Sequence, residues 1–361
     1  MPMFTGCWHV SNALYTVHYT CCASIHAYYH PHELPPMNLP EMPQRKIRVF
    51  APASVANVAC GFDVLGFALE RPGDEVVARR LDRPGVAISS ISGDDGRLPR
   101  ETERNSAGVA VVALLEALKI EAGIDLELHK KMPLASGLGS SGASAVAAVV
   151  AADRLLELEA PLETLLLAAM EGERSACGSA HADNVAPSLY GGLVLVRPVD
   201  PPDVVTLPIP EGLSAALVRP HAEVDTGSQR AALGDSVPLR AAVAQWANLG
   251  ALVAALHRGD LELLGRALAD HVAEPKRGPA VPGFAAIQAA ALEAGALGSS
   301  LSGSGPAIFA ICSSRAEAER VSRAMADAAR EATGLGCDRF ISAVGAPGAR
   351  VLKIAAEDRL E

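Results

Sequence analysis

The stretch Pro133-Leu-Ala-Ser-Gly-Leu-Gly-Ser-Ser-Gly-Ala-Ser144 decides how the rest of this chain is read. Before it, Ile124, Leu126 and Leu128 alternate with Asp125, Glu127 and His129, the period-two pattern of a half-buried strand. After it, Gly142 to Leu158 is an Ala/Val-rich run that reads as a buried helix. Glycines 137, 139 and 142, with the serines among them, therefore stand at a strand-to-helix junction. Such a junction lets main-chain N–H groups converge on an anion at the positive end of a helix dipole. A phosphate group is the obvious guest.

The spacing comes close to a P-loop. Gly137 and Gly142 are five apart and Ser144 occupies the Ser/Thr position, but Ala143 stands where the lysine belongs. That lysine neutralises the outer phosphates, so its absence argues against an ordinary Walker A nucleotidase.

Two further segments give the loop a context. Near the start is APASVANVACGFDVLG, Ala51 to Gly66; near the end is SSLSGSGPAIFAIC, Ser299 to Cys312, a second Gly/Ser turn between apolar runs. Together with P-x3-G-L-G-S-S-G they resemble, in order, the motifs of the GHMP kinases, which bind ATP without a Walker lysine. Within that family the A-N-x3-G-F-D-x-L-G pattern is similar to the homoserine kinases, and the Lys/Arg then G-E-H patterns of mevalonate and galactose kinases are absent. HADNVAPSLYGG (His181 to Gly192), AEPKRGPAVPGF (Ala273 to Phe284) and the final GARVL extend the resemblance over residues 46 to 354. Val55 departs from the pattern, standing where Ser is common.

The resemblance implies an α+β, two-lobe GHMP kinase fold. Its N-terminal lobe would be like domain 2 of ribosomal protein S5, with a left-handed β-α-β crossover, and its C-terminal lobe ferredoxin-like. It also implies ATP-dependent phosphorylation of the L-homoserine hydroxyl to O-phospho-L-homoserine in threonine biosynthesis. The alternatives are a kinase of the same fold for another small alcohol, and a non-catalytic ligand sensor. ATP and Mg²⁺ are the implied cofactors, L-homoserine the small-molecule partner, and a homodimer is compatible with the family.

Residue by residue, the nucleotide contacts expected from the resemblance are Pro133, Leu134, Ala135, Ser136, Gly137, Leu138, Gly139, Ser140, Ser141, Gly142 and Ala143, with Lys130 adding charge and Asn105 near the adenine. Ser141 and Glu173 are the expected Mg²⁺ ligands, with Glu171 the neighbouring alternative; a hard cation wants oxygen donors. An amino-acid acceptor needs an anion for its ammonium and a cation for its carboxylate. Asp63 fits the first role, being an acid among Phe62, Val64 and Leu65. Arg230, in a T-x3-R pattern from Thr226, and Arg277, in AEPKR, fit the second, because a guanidinium fork matches a carboxylate. Asn57, His181 and Gly303 complete the expected acceptor contacts. Asn57, Asn184 and Arg230 are the expected catalytic positioners. Counting eleven residues on from Glu173, where related mevalonate kinases carry a basic Asp, lands on Asn184. With Asp183 expected to point elsewhere, the reading is that no carboxylate base exists and the proton leaves late.

The chain has 361 residues, half of them hydrophobic, enough for one large or two medium cores. A net charge of −10 with no basic patch excludes nucleic acid as a partner. No run of 18 apolar residues exists, so no membrane partner is expected. Cys60, Cys177, Cys312 and Cys337 lack C-x2-C spacing and read as buried thiols of a cytoplasmic protein.

Three divisions are expected. Residues 1–45 hold five of the ten histidines and three of the seven cysteines and read as a poorly ordered N-terminal extension, with Met37 or Met42 as a possible natural start. Cys22, His26 and His30 are four apart and would line one face of a helix, but Pro31 argues against that helix. Residues 46–203 form the N-terminal lobe with the ATP loop, and residues 204–361 the C-terminal lobe, divided at the Pro-rich stretch from Pro198 to Pro210.

Overall fold

The computed structural model describes residues 46–222, 224, 229 and 232–352. In chain order, β1 (Lys46–Ala56), β2 (Leu65–Leu81) and β3 (Gly85–Ser92) lead to α1 (Ser106–Leu118), β4 (Gly123–His129), α2 (Ser140–Leu156), α3 (Leu162–Cys177) and α4 (Ala182–Tyr190). Strands β5 (Leu193–Arg197), β6 (Asp203–Leu207) and β7 (Ser214–Pro220) follow, then α5 (Leu239–Arg258), α6 (Leu261–Ala267), α7 (Glu274–Arg277) and α8 (Phe284–Glu293). The chain ends through β8 (Gly298–Leu301), β9 (Ile308–Cys312), α9 (Arg315–Thr333), β10 (Cys337–Ala343) and β11 (Arg350–Leu352). Cys22, His26 and His30 lie outside the described residues.

Seven strands make the first sheet. Its spine runs β11-β1-β2-β4-β3, and β5 pairs with β2 and carries β6. Strand β2 serves both branches because it is long and irregular: Leu65–Phe67 pair with β5, while Glu75–Leu81 pair with β4. Between them the register with β1 shifts at Pro52/Ser54. Strands β3 and β4 run parallel, with α1 as the crossover between them. The Pro-rich stretch expected to separate the lobes contains β6, paired with β5 in the first sheet. Its Val204-Val-Thr206 run has strong strand propensity, and β5 offers the edge it completes. A division at 203/204 thus falls at the first residues of a strand, and β11 returns the chain to the first sheet.

Helix α2 lies on that sheet and is buried over nearly all its length. Ala143, Ala145, Ala147, Ala148, Ala151 and Ala152 make this possible, since a helix apolar all round and thin in side chains packs on every side. Asn105 caps α1 as expected, its side chain accepting from the Ala107 N–H.

The second sheet, β10-β7-β9-β8, is antiparallel, with β7, β8 and β9 almost wholly buried and the edge strand β10 half-exposed. Alternation divides its residues cleanly. Ala215, Leu217, Phe309 and Ile311 join the core of the first sheet, while Ala216, Val218, Ile308 and Ala310 pack with Phe284, Ile287, Val321 and Met325 of α8 and α9. Phe67 of β2 meets Phe309 of β9 edge to face at 6.2 Å. One face of the second sheet therefore packs into the core of the first. One helix among the described residues, α5, is long and apolar enough to cross a membrane by length and composition, although polar residues interrupt it.

Candidate active site

A cavity of about 310 Å³ opens where the N-terminus of α2, the N-terminus of α4, the turn after β1 and the turn between β8 and β9 converge. Small-molecule sites are of this size and concavity. Leu134, Ala135, Ser136, Gly137, Gly139, Ser140, Ser141 and Ser144 line it from the loop and first turns of α2.

Two glycines set the loop's path. Gly137 has φ 76° and Gly139 φ 69°, left-handed conformations that favour a residue without Cβ. A Cβ on Gly139 would lie 2.4 Å from Ser54 Oγ and 3.1 Å from Asn184 Oδ1; one on Gly137 would lie 2.6 Å from Ser302 O. The loop is clamped from the other lobe: Ser302 Oγ donates to Gly137 O at 2.7 Å and Ala307 N to Ser136 O at 3.2 Å. The Gly303–Gly305 turn thus rests against the phosphate loop, as the resemblance implies. Gly139 is the N-cap of α2, so the first-turn amides face the cleft at the positive end of the helix. Ser136 Oγ is buried with no hydrogen-bond partner among the described residues, a donor left for a guest.

Not all of the expected loop contacts face the cavity. Pro133 lies on the opposite side, in a depression with Lys131 and Phe340. Leu138 and Ala143 are wholly buried, because the turn must anchor itself in the core. Gly142 sits under the first turn, where an added Cβ would touch Val185 and Glu173. None of these three lines the cavity.

Lys130 lines the cavity as expected of a neighbour of the loop, but its charge is already paired. Its ammonium is buried in an ion pair with Asp74, and donates to Ser140 O at 3.0 Å and Ser144 Oγ at 2.6 Å. Asp74 also accepts from Ser140 Oγ at 3.0 Å and from the Lys131 N–H at 3.0 Å. The Lys130 charge is compensated by Asp74, so it braces the N-terminus of α2 from beneath. Asn105 lines the cavity, but its amide caps α1 and donates to Pro99 O at 2.8 Å.

Across the cavity, Glu173 on α3 is buried and accepts from Ser141 Oγ at 2.5 Å. His181 Nδ1 lies 3.6 Å from its other oxygen. Glu171, two residues earlier, pairs with Arg174 near the surface, which removes it as the alternative. Among the described residues no cluster of three or more His, Cys, Asp or Glu side chains could hold a metal alone. One carboxylate and one hydroxyl suit Mg²⁺, which keeps water and phosphate oxygens in its shell.

The remaining end of the cavity is charged with both signs. Asn57 has φ 72°; its Nδ2 donates to Gly303 O at 2.9 Å and its Oδ1 accepts from the Asp63 N–H at 3.0 Å. Asn57 therefore ties the two turns together and lines the cavity where they meet. Its own N–H donates to Asp183 Oδ2 at 3.2 Å. Asp183 lines the cavity beside Asn184, contrary to the expectation that it points away, and its Oδ1 has no partner among the described residues. Burial, reinforced by the negative charge of Asp63, pushes its pKa up to about 7. Arg277 is buried opposite, donating to Gly303 O at 3.2 Å with its guanidinium over the Phe62 ring at 5.3 Å. Arg230 lies outside the described residues. Sequence reasoning missed Asp74 and set Asp183 aside.

An amide-lined loop at a helix N-terminus, a buried Ser–Glu pair and a two-signed acceptor pocket define a small-molecule phosphotransferase. The models of the GHMP kinase N-terminal domain and of the GHMP kinase C-terminal region match residues 105–192 and 252–331. A homoserine kinase of Chlorobium phaeobacteroides (strain DSM 266) is 48% identical over 320 residues, covering 85% of this chain and all of the relative. One from Xanthomonas campestris is 42% identical over 308 residues, covering 85% of this chain and 94% of the relative. The crystal structure of homoserine kinase from Cytophaga hutchinsonii is similar at TM-score 0.83 and 52% identity, covering 87% of this chain and all of that one. The L. major mevalonate kinase, at 18% identity and TM-score 0.65, shares the fold. The chain belongs to the GHMP kinase family, among its homoserine kinases.

Proposed function

We propose that the protein transfers the γ-phosphoryl group of ATP to the side-chain hydroxyl of L-homoserine, giving O-phospho-L-homoserine, a step toward threonine. The observation that carries this reading is the pairing of carboxylates with a guanidinium beside the phosphate loop. Two carboxylates, Asp63 and Asp183, stand at the cavity end that Arg277 closes. A sugar or an isoprenoid alcohol has no use for both signs; an amino acid needs each.

The mutual repulsion of Asp63 and Asp183 is relieved by a cation, and the substrate ammonium supplies one. The carboxylate faces Arg277, and Arg230 is its second candidate partner. That orientation directs the hydroxyl toward Asn184, the next residue of the same helix turn, and so toward the loop. Main-chain amides of 139–142 bind the phosphates. Ser141 and Glu173 are the residues that would hold Mg²⁺, and the ion supplies charge neutralisation at the phosphate oxygens. Proximity does most of the remaining work. The hydroxyl oxygen forms a bond to phosphorus as the bond to the ADP oxygen breaks, and the proton leaves late, to a phosphoryl oxygen. A loose transition state asks little of a base, so Asp183 is free to hold the ammonium. The unpaired Cys60 and Cys312 suit a reducing, cytoplasmic setting.

The test is ADP release with homoserine, mevalonate, galactose and no acceptor. The reading expects release with homoserine alone; equal release with mevalonate or galactose would overturn it.

A further inference from the structure

Arg277, the cation of the acceptor pocket, stands on α7, a helix of four residues. A helix that short does not hold itself, so its neighbours set where the guanidinium lies. Asp270 caps its N-terminal end, accepting from the Val272, Ala273 and Glu274 N–H groups at 2.8, 3.0 and 2.8 Å. Glu274 holds its side. One carboxylate oxygen, Oε1, accepts from Gln288 Nε2 of α8 at 3.1 Å, and the other accepts from Ser300 Oγ of β8. Gln288 Nε2 also donates to Ser299 O at 2.8 Å, so the same strand is gripped twice.

Strand β8 carries this anchorage to the phosphate loop. Ser300 is buried and meets Glu274; Ser302, buried two residues further on, donates to Gly137 O at 2.7 Å. Alternate residues of an extended chain point the same way and stand roughly 6–7 Å apart. The next residue, Gly303, accepts at its carbonyl from Arg277 at 3.2 Å and from Asn57 Nδ2 at 2.9 Å. Residues 299–303 therefore set the acceptor cation and the donor loop relative to each other. Glu274 is not among the residues lining the active-site cavity; it borders a separate depression with Pro275, Pro279 and Phe284.

We propose that Glu274 is a positioning residue for phosphoryl transfer: by locking α7 onto Ser300 and Gln288, it holds Arg277 where the substrate carboxylate must sit for the hydroxyl to reach the loop. The proposal rests on the homoserine reading, because only an acceptor with a carboxylate needs Arg277 so placed. Each Glu274 oxygen takes one donor, so the site calls for two acceptors on one side chain. Glu274→Gln keeps the length of the side chain but turns one acceptor into a donor that faces a donor.

Steady-state kinetics of the full chain with homoserine, and with homoserinol, which lacks the carboxylate, tests this. Glu274→Ala should lower kcat/KM for homoserine about tenfold or more, chiefly through KM, while kcat/KM for homoserinol and KM for ATP stay within about twofold. Glu274→Gln should recover part of the loss. Gln288→Ala should reproduce the same selective loss at about threefold, and it decides the matter if Glu274→Ala does not fold. Equal losses for both acceptors with a raised KM for ATP would mean a general loosening of the fold and overturn the proposal. Unchanged homoserine kinetics in both alanine variants would overturn it too. A wild-type enzyme that uses homoserinol as well as homoserine would instead sink the homoserine reading, and the brace with it.

Discussion

The main-chain N–H of Asn57 donates to Asp183 Oδ2 at 3.2 Å, and Oδ1 of the same carboxylate is buried with no partner among the described residues. A turn of the N-terminal motif thereby holds one face of a buried acid and leaves the other to the cavity. With its pKa pushed up to about 7 by burial and by Asp63, Asp183 is half protonated near neutrality in the free enzyme. If it binds the ammonium, kcat/KM for homoserine should fall about tenfold per pH unit below 7, as the acid becomes neutral, with kcat changing less. A pH profile of both constants checks this.

The same shift has a stability consequence of definite sign. The folded-state pKa of Asp183 lies above its ordinary value, so the native state binds the proton more tightly. Its contribution is therefore most favourable at low pH and is lost as pH rises through about 7. Asp183→Asn should raise the melting temperature at pH 8 while lowering kcat/KM by about 10²- to 10³-fold, chiefly through KM. A variant less stable at pH 8 would contradict the buried, uncompensated acid. A fall beyond 10³-fold confined to kcat would instead make Asp183 the base.

Glu173→Gln keeps the shape of α3 but replaces an anionic ligand with a neutral one. The expected result is a loss of about 10²- to 10³-fold in kcat and a higher Mg²⁺ concentration for half-maximal rate, read from initial-rate titrations. An unchanged Mg²⁺ dependence would remove Glu173 from the metal site.

Lys130→Met leaves the Asp74 carboxylate buried without its cation. Breaking such a pair costs about 3–5 kcal/mol, so urea unfolding should show a large loss. Lys130→Met with Asp74→Asn should recover most of it. A singly substituted protein of normal stability with a raised KM for ATP would show that Lys130 serves the nucleotide directly.

Gly139→Ala places a Cβ 2.4 Å from Ser54 Oγ at a φ of 69°. The loop must shift, so KM for ATP should rise about tenfold or more while circular dichroism stays unchanged. An unchanged KM would show that the loop path does not matter to nucleotide binding.

What the sequence revealed here was local. Period-two alternation before the loop, small residues through α2 and the Asn105 cap are each written in a few neighbouring residues, and the structure carries all three. The Asp74 partner of Lys130 was not legible because strand register sets it: Glu75 pairs with His129, which brings Asp74 beside Lys130, and no local pattern encodes that pairing. Asp183 was misread for a different reason. Neighbouring residues on the flank of a helix point about 100° apart, but the cavity meets α4 at its N-terminal end, where both Asp183 and Asn184 border it. Strand β6 was hidden by flanking prolines, and its place depends on the open edge of β5.

The central claim is that charges of both signs beside the phosphate loop select an amino-acid alcohol. The most direct test compares kcat/KM for homoserine with 4-hydroxybutyrate, which lacks the ammonium, and homoserinol, which lacks the carboxylate. Each analogue should lose about 10²-fold or more, since its absence strands a buried charge. Phosphorylation of 4-hydroxybutyrate as efficient as that of homoserine would contradict the account.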